Sequence, residues 1–282
     1  MKVAAIQLNP QDNKEENILS ALQYVREAAN NGAEFIVLPE YVDFMGEESK
    51  KVMLGETIPG PTSNAFASVA KEYNIYLLCG SILEKADDKR VYNSSMLING
   101  NGEIIATYRK LHLYDAIFEG RYTIKESDTI KPGKDVVTAD TDFGTVGMTI
   151  CYDIRFPELF RSLALRGSKV IFVPAAFPLY TGAHHWEILL RARAIENQCY
   201  IVAAGQFGIA PPDHVEFGNS MIIDPWGTVL ARAPEKEAII IENLDLGYID
   251  QVRGKIPCFN HRRPSVYSKL ITNESLQRHV EG

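Results

Sequence analysis

The sequence predicts a single α/β domain, a four-layer α-β-β-α sandwich made of two internally repeated halves. Three observations predict it. Short β-branched apolar runs alternate with stretches of helical period, the chain repeats itself in order, and 282 residues with 46% hydrophobic content can bury one large core. Residues 1–282 are read as that one domain, with about 265–282 as a C-terminal tail.

The first apolar run is Val3 to Leu8, and further runs follow at Phe35 to Leu38, Ile75 to Cys79, Val170 to Val173 and Tyr200 to Ala204. Between the first two, Lys14 to Asn30 carries Ile18, Ala21, Leu22, Val25 and Ala28 at three- and four-residue steps, the signature of an amphipathic helix. Asn13 is its expected start and Asn31-Gly32 its expected C-cap.

Gly32-Ala-Glu-Phe-Ile-Val-Leu-Pro39 is echoed by Gly167-Ser-Lys-Val-Ile-Phe-Val-Pro174, and Ser95-Met-Leu-Ile-Asn-Gly-Asn-Gly102 by Ser220-Met-Ile-Ile-Asp-Pro-Trp-Gly227. Tyr76 to Gly80 answers Tyr200 to Gly205 loosely, and Val3 to Gln7 lines up with Gly147 to Cys151. Two strand-helix-strand-helix-hairpin units imply two similar mixed sheets packed face to face, with helices outside. The alignment sets Gln7 opposite Cys151, Ala175 opposite Glu40, and Glu235 near Lys110. A thiol, a carboxylate and an ammonium that each occur in one half only are departures from a common scaffold, and chemistry is expected there.

Net charge −7 comes from interspersed acids and bases without a Lys/Arg block, so a nucleic-acid partner is not expected. No run approaches the roughly 18 apolar residues of a membrane span, and Met1-Lys2 leads straight into the first strand, so a cytoplasmic protein without a membrane partner is expected. Cys79, Cys151, Cys199 and Cys258 lie far apart without a C-x-x-C, suggesting neither zinc nor disulfides. His184-His185 near Glu187 lacks a third ligand at workable spacing, so no metal is expected.

Cys151 follows the strand Val146 to Ile150 and precedes a helix opening at Pro157. A thiol on such a turn can be a nucleophile with pKa lowered by a helix N-terminus, or an inert buried cysteine. Glu40 ends the run Phe35 to Pro39, either as a partly buried general base or as a solvated loop carboxylate. Lys110 shares a strand face with Tyr108 and can stabilise an oxyanion or be an ordinary surface lysine.

Leu38-Pro39-Glu40, Tyr108-Arg109-Lys110-Leu111-His112-Leu113 and Ile150-Cys151-Tyr152-Asp153-Ile154-Arg155-Phe156-Pro157-Glu158 resemble the three signature segments of nitrilase-like carbon-nitrogen hydrolases. The resemblance spans nearly the whole chain, through Arg191 to Asn197, Asp224 to Gly227 and Pro257 to Arg263. It implies Glu40 as base, Lys110 as stabiliser, Cys151 as nucleophile forming a thioester, Glu126 as an assisting second carboxylate, the Tyr152 N–H as an oxyanion donor, and no cofactor.

Cys151-Tyr152-Asp153 differs from the Cys-Trp-Glu of true nitrilases. Thr181 to Glu187, Arg191 to Arg193 and His261 to Pro264 look most like deaminated-glutathione amidases, followed by omega-amidases acting on 2-oxoglutaramate. N-carbamoyl amino acid amidohydrolases and nitrilases are the more distant alternatives. For the carboxylate of such an amide substrate, Arg155 is a candidate partner, against structural pairing with Asp153 or Glu158, and Phe177 and Thr181 are candidate pocket residues. The resemblance further implies a homodimer, or a higher homo-oligomer, joined through the helices flanking the nucleophile.

Overall fold

Apolar runs of alternating direction become two six-stranded sheets in the computed structural model, which describes residues 1–87, 89–120 and 122–271. In chain order the first half comprises β1 (Lys2–Gln7), α1 (Lys14–Asn30), β2 (Phe35–Val37), α2 (Glu48–Leu54), α3 (Pro61–Tyr73), β3 (Tyr76–Lys85), β4 (Val91–Ile98) and β5 (Ile104–Arg109). A hairpin of β6 (Asp115–Phe118) and β7 (Tyr122–Lys125) follows. The second half comprises β8 (Thr138–Thr141), β9 (Gly144–Met148), α4 (Pro157–Leu165), β10 (Val170–Ala175), α5 (Leu179–Asn197) and β11 (Tyr200–Gly205). Then come the hairpin β12 (Phe207–Ala210) and β13 (His214–Phe217), β14 (Met221–Ile223), β15 (Val229–Arg232), β16 (Ala238–Asn243), α6 (Tyr248–Lys255) and α7 (Pro264–Ile271). The expected tail from about 265 therefore begins with α7, and 272–282 lie outside the described residues.

The sheets run β16-β1-β2-β3-β4-β5 and β15-β14-β11-β10-β9-β8, so the repeat is a repeat of strand order, each copy carrying one extra edge strand. Pairing register corrects the repeat by one residue. Val3 pairs with Phe35 as Val146 pairs with Val170, which makes Leu8, not Gln7, the first-half counterpart of Cys151. The equivalence of Lys110 and Glu235 holds, since Met96 pairs with Thr107 as Met221 pairs with Arg232.

Strand alternation explains the layers. In β1, Ala4 and Ile6 face the cluster that α1 and α3 cover with Leu22, Val25, Phe66 and Val69, while Val3 and Ala5 face the other sheet. Between the sheets the Phe35 and Phe172 rings stack at 4.5 Å, both fully buried. Truncating such a ring to alanine typically costs about 3–5 kcal/mol, so this contact is a main tie between the two halves. Helix α1 starts as its caps dictate: the Asn13 side chain accepts from the Glu16 N–H, and Gly32 leaves at φ +82°. The two repeated hairpins turn alike, with Asn99 N–H donating to Glu103 O and Asp224 N–H to Thr228 O, and with Gly102 and Gly227 at φ +80° and +89°.

Candidate active site

Each key side chain lies where a strand stops. Beyond β2 the chain continues through Leu38-Pro39 to Glu40, lying so close to the bulge in β3 that a β-carbon on Gly80 would sit 2.0 Å from Leu38 O. Ser81 then anchors the turn, its hydroxyl accepting from the Tyr41 N–H at 2.8 Å. Lys110 extends β5 by one step, its N–H donating to Asn93 O. Beyond β9, Cys151 opens a short 3₁₀ turn, Cys151–Arg155, at φ +47°. This left-handed conformation is costly for a non-glycine residue and marks an over-determined position.

These strand ends converge. Lys110 Nζ donates to Glu40 Oε1 at 2.9 Å and to Glu126 Oε1 and Oε2 at 3.0 and 2.9 Å. Glu40 Oε1 also accepts from Asn93 Nδ2 at 2.8 Å, and Glu40 Oε2 accepts from the Ala176 N–H at 2.7 Å. Glu126 accepts further from Tyr41 OH at 2.8 Å and the Tyr114 N–H at 2.6 Å. All three ionisable side chains are at most 5% exposed.

Burial alone would lower the Lys110 pKa, but the Glu126 and Glu40 charges outweigh it and hold the ammonium well above its usual range. Burial works against Glu126 in the same way, and Lys110 with the Tyr114 N–H reverses it, so this carboxylate lies below its usual value. A carboxylate lowered in the folded state contributes stability above its unfolded pKa of about 4.5, lost as pH falls through the folded value. Lys110 contributes below its unfolded value of 10.5, lost as pH rises through the raised one. The cluster is therefore intact across the neutral range.

Cys151 corrects the expected direction of its pKa. Burial first, then the Glu40 charge, push the thiol well above 9.0, and Lys110 offsets only part of this. The helix that was to lower it begins at Pro157, beyond the intervening 3₁₀ turn. The single S–H has two acceptors in reach, Ala176 O at 3.5 Å and the Glu40 carboxylate. The resting pair is thus a neutral thiol beside a carboxylate.

Glu40, Lys110, Glu126 and Cys151 line one cavity of about 60 Å³ with Tyr41, Tyr114, Ala176, Pro178, His214 and Glu216. A groove of about 540 Å³ adjoins it through Ile124, Pro178, His214 and Glu216. Phe177 and Thr181 do not line either among the described residues. Both are buried, Phe177 packing on Trp186 at 5.0 Å and Thr181 donating to Pro178 O, because the chain past β10 turns its backbone, not these side chains, toward Glu40. Arg155 and Tyr152 lie just outside that lining, the guanidinium 5.2 Å from the Phe177 ring and 5.9 Å from the Tyr152 ring.

The structural pairing considered for Arg155 does not form. Asp153 is taken by Tyr108 OH at 2.6 Å, the Ile150 N–H at 2.8 Å and His112 Nδ1 at 2.7 Å, an arrangement that ties the cysteine turn to the lysine strand. Arg155 instead meets His185 Nδ1 at 3.2 Å, with no carboxylate partner among the described residues. Sequence reasoning missed Asn93 and Tyr41; the polar run Asn93-Ser94-Ser95 inside an apolar strand was the available signal.

The family model for carbon-nitrogen hydrolases matches residues 2–254. The chain belongs to the carbon-nitrogen hydrolase family. Within it, the deaminated glutathione amidase of Mus musculus is 40% identical over 274 residues, covering 95% of this chain and 85% of that protein. The omega-amidase NIT2 of Homo sapiens is 39% identical over 267 residues, covering 95% and 96%. Among solved structures, the C. elegans NitFhit protein superposes with a TM-score of 0.89 at 37% identity, over 94% of this chain and 66% of that longer one. As a member of this family the chain is a hydrolase of carbon–nitrogen bonds other than peptide bonds. Among the described residues no helix is long and apolar enough to cross a membrane.

Proposed function

We propose that the protein hydrolyses the γ-amide of a small carboxylate-bearing substrate, of the deaminated-glutathione type, through a thioester on Cys151. The observation that carries this reading is the buried Glu40–Lys110–Glu126 cluster against a neutral thiol. As Sγ attacks the carbonyl carbon, Glu40 accepts the thiol proton, and Lys110 with the Tyr152 N–H receives the negative charge on oxygen. Glu40 passes that proton to the nitrogen as the C–N bond breaks, and the amine leaves, cysteinylglycine from deaminated glutathione or ammonia from a primary amide. Water then attacks the thioester while Glu40 accepts its proton, the C–S bond breaks, and the proton returns to sulfur. Glu126 holds Lys110 charged and aimed; Arg155, over the Phe177 ring and with no carboxylate partner among the described residues, meets a substrate carboxylate as a bidentate fork.

A second reading, an omega-amidase on 2-oxoglutaramate, is favoured by the 39% identity to omega-amidase NIT2 over 96% of that protein's length. Release of cysteinylglycine from deaminated glutathione, and of ammonia from 2-oxoglutaramate, N-carbamoyl amino acids and simple nitriles, separates these. We expect turnover of the two keto-acid amides at least tenfold above the rest; exclusive turnover of nitriles would reject the proposal.

Homodimerisation through α5 completes this reading. Ile188 and Ile195, 70% and 50% exposed, stand seven residues apart on that helix, and Trp226 in the adjoining turn is 50% exposed. Sedimentation should give twice the chain mass of 31.5 kDa for the wild type and the chain mass for Ile188→Glu; a wild-type monomer would refute it.

A further inference from the structure

The second wall of the cavity carries a carboxyl group that the mechanism above does not use. On β13 alternation turns Val215 outward, 41% exposed, and turns Glu216 inward, 4% exposed. Glu216 lines both the cavity that holds Cys151 and the groove leading to it. Its Oε2 is sealed from solvent with no hydrogen-bond partner, and no cation pairs with it among the described residues. Such a group destabilises a fold, so packing gives no reason for it to be there.

The charged and titratable groups that share these linings are Glu40 and Tyr41 beyond β2, Glu48 and Lys51 on α2, Lys110, Tyr114 and Glu126 around the β6–β7 hairpin, Cys151 beyond β9, Tyr180 and His184 on α5, and Asp213 and His214 on its own hairpin. The Lys51 ammonium is already committed, 2.5 Å from Glu48 and over the Tyr41 ring. Burial, then the Glu40 charge, push the Glu216 carboxyl up to about 8. At neutral pH it is therefore a carboxylic acid, able to donate as well as accept.

We infer that Glu216 is a specificity-determining residue that donates its carboxylic O–H to the carboxylate of an anionic amide substrate. The inference rests on the amidase reading and adds, besides Arg155, a second group that meets the substrate's carboxylate. Glu40 and Glu126 face one lysine, so an anionic substrate entering the cavity would be repelled by a third carboxylate. A neutral acid removes that repulsion and supplies a donor. A substrate ammonium would demand the opposite, an ionised Glu216.

The two cases move protons in opposite directions. An anion bound to Glu216 raises its affinity for the proton, so binding above pH 8 draws a proton in; a bound cation expels one. The test uses the Cys151→Ala protein with glutaramate, which carries one carboxylate and one amide, and with L-glutamine, which adds an α-ammonium. Calorimetry at pH 8.5 in two buffers of different ionisation enthalpy counts the protons. We expect glutaramate to bind with uptake of roughly 0.7 proton, and the Cys151→Ala/Glu216→Gln protein, which keeps a neutral donor of the same shape, to bind it with almost none.

Absence of uptake, uptake that persists in the double variant, or failure of glutaramate to bind would overturn the inference, as would L-glutamine binding more tightly with proton release. These outcomes are separable from failure of the amidase reading, which shows as absent turnover of both deaminated glutathione and 2-oxoglutaramate by the wild-type protein. Active wild type without proton uptake rejects the role of Glu216 alone.

Discussion

Cys151→Ala abolishes ammonia release from 2-oxoglutaramate, lowering kcat by roughly 10⁴-fold or more, while far-ultraviolet circular dichroism and the urea midpoint stay close to wild type. The loss is large because no neighbouring group can replace the sulfur: Glu40 and Glu126 are committed to Lys110. The fold tolerates the change because the thiol offers one weak S–H donor, to Ala176 O at 3.5 Å or to the Glu40 carboxylate, and without it Glu40 keeps the donors Lys110, Asn93 and the Ala176 N–H. Ammonia release within tenfold of wild type would reject Cys151 as the nucleophile.

Glu40→Gln lowers kcat by about 10⁴-fold, through a different step. The carboxamide cannot take the thiol proton, and its N–H₂ would meet either Lys110 Nζ or the Ala176 N–H, donor against donor. The thiol pKa then separates two effects. Glu40 raises the Cys151 pKa in the wild type, so Glu40→Gln should shift alkylation by iodoacetamide toward lower pH while turnover collapses. A variant that loses turnover with an unmoved alkylation profile would place Glu40 in structure, not in proton transfer.

The two packed sheets, the paired hairpins and the meeting of Glu40, Lys110 and Cys151 were legible in the sequence because each rests on local pattern or on the repeat, whereas Glu126 came from the family resemblance alone. The one-residue error at Cys151 arose where the repeat is weakest: Val3 to Gln7 and Val146 to Ile150 share only apolar character, and pairing with Phe35 and Val170 fixes their register. Phe177 and Thr181 were placed by analogy with the Glu40 loop, yet Trp186 draws the Phe177 ring into the core. Glu216 and His214 lie on a hairpin inserted between β11 and β14, outside the repeat, so no internal comparison could expose them. The thiol pKa depended on how far the helix starts beyond the turn and on a carboxylate more than a hundred residues away, neither of which spacing reveals.

The division of the site between the sheets has a physical price for any variant that loosens the core. Glu40 belongs to one sheet, yet the Ala176 N–H aims its carboxylate and Gln206 Nε2 holds its carbonyl at 2.8 Å, both from the other. Sliding one sheet past the other by a single residue is a displacement of about 3.3 Å, longer than either hydrogen bond. Turnover is therefore a ruler laid across the sandwich: a molecule with both sheets intact but misaligned by one step falls silent long before it melts.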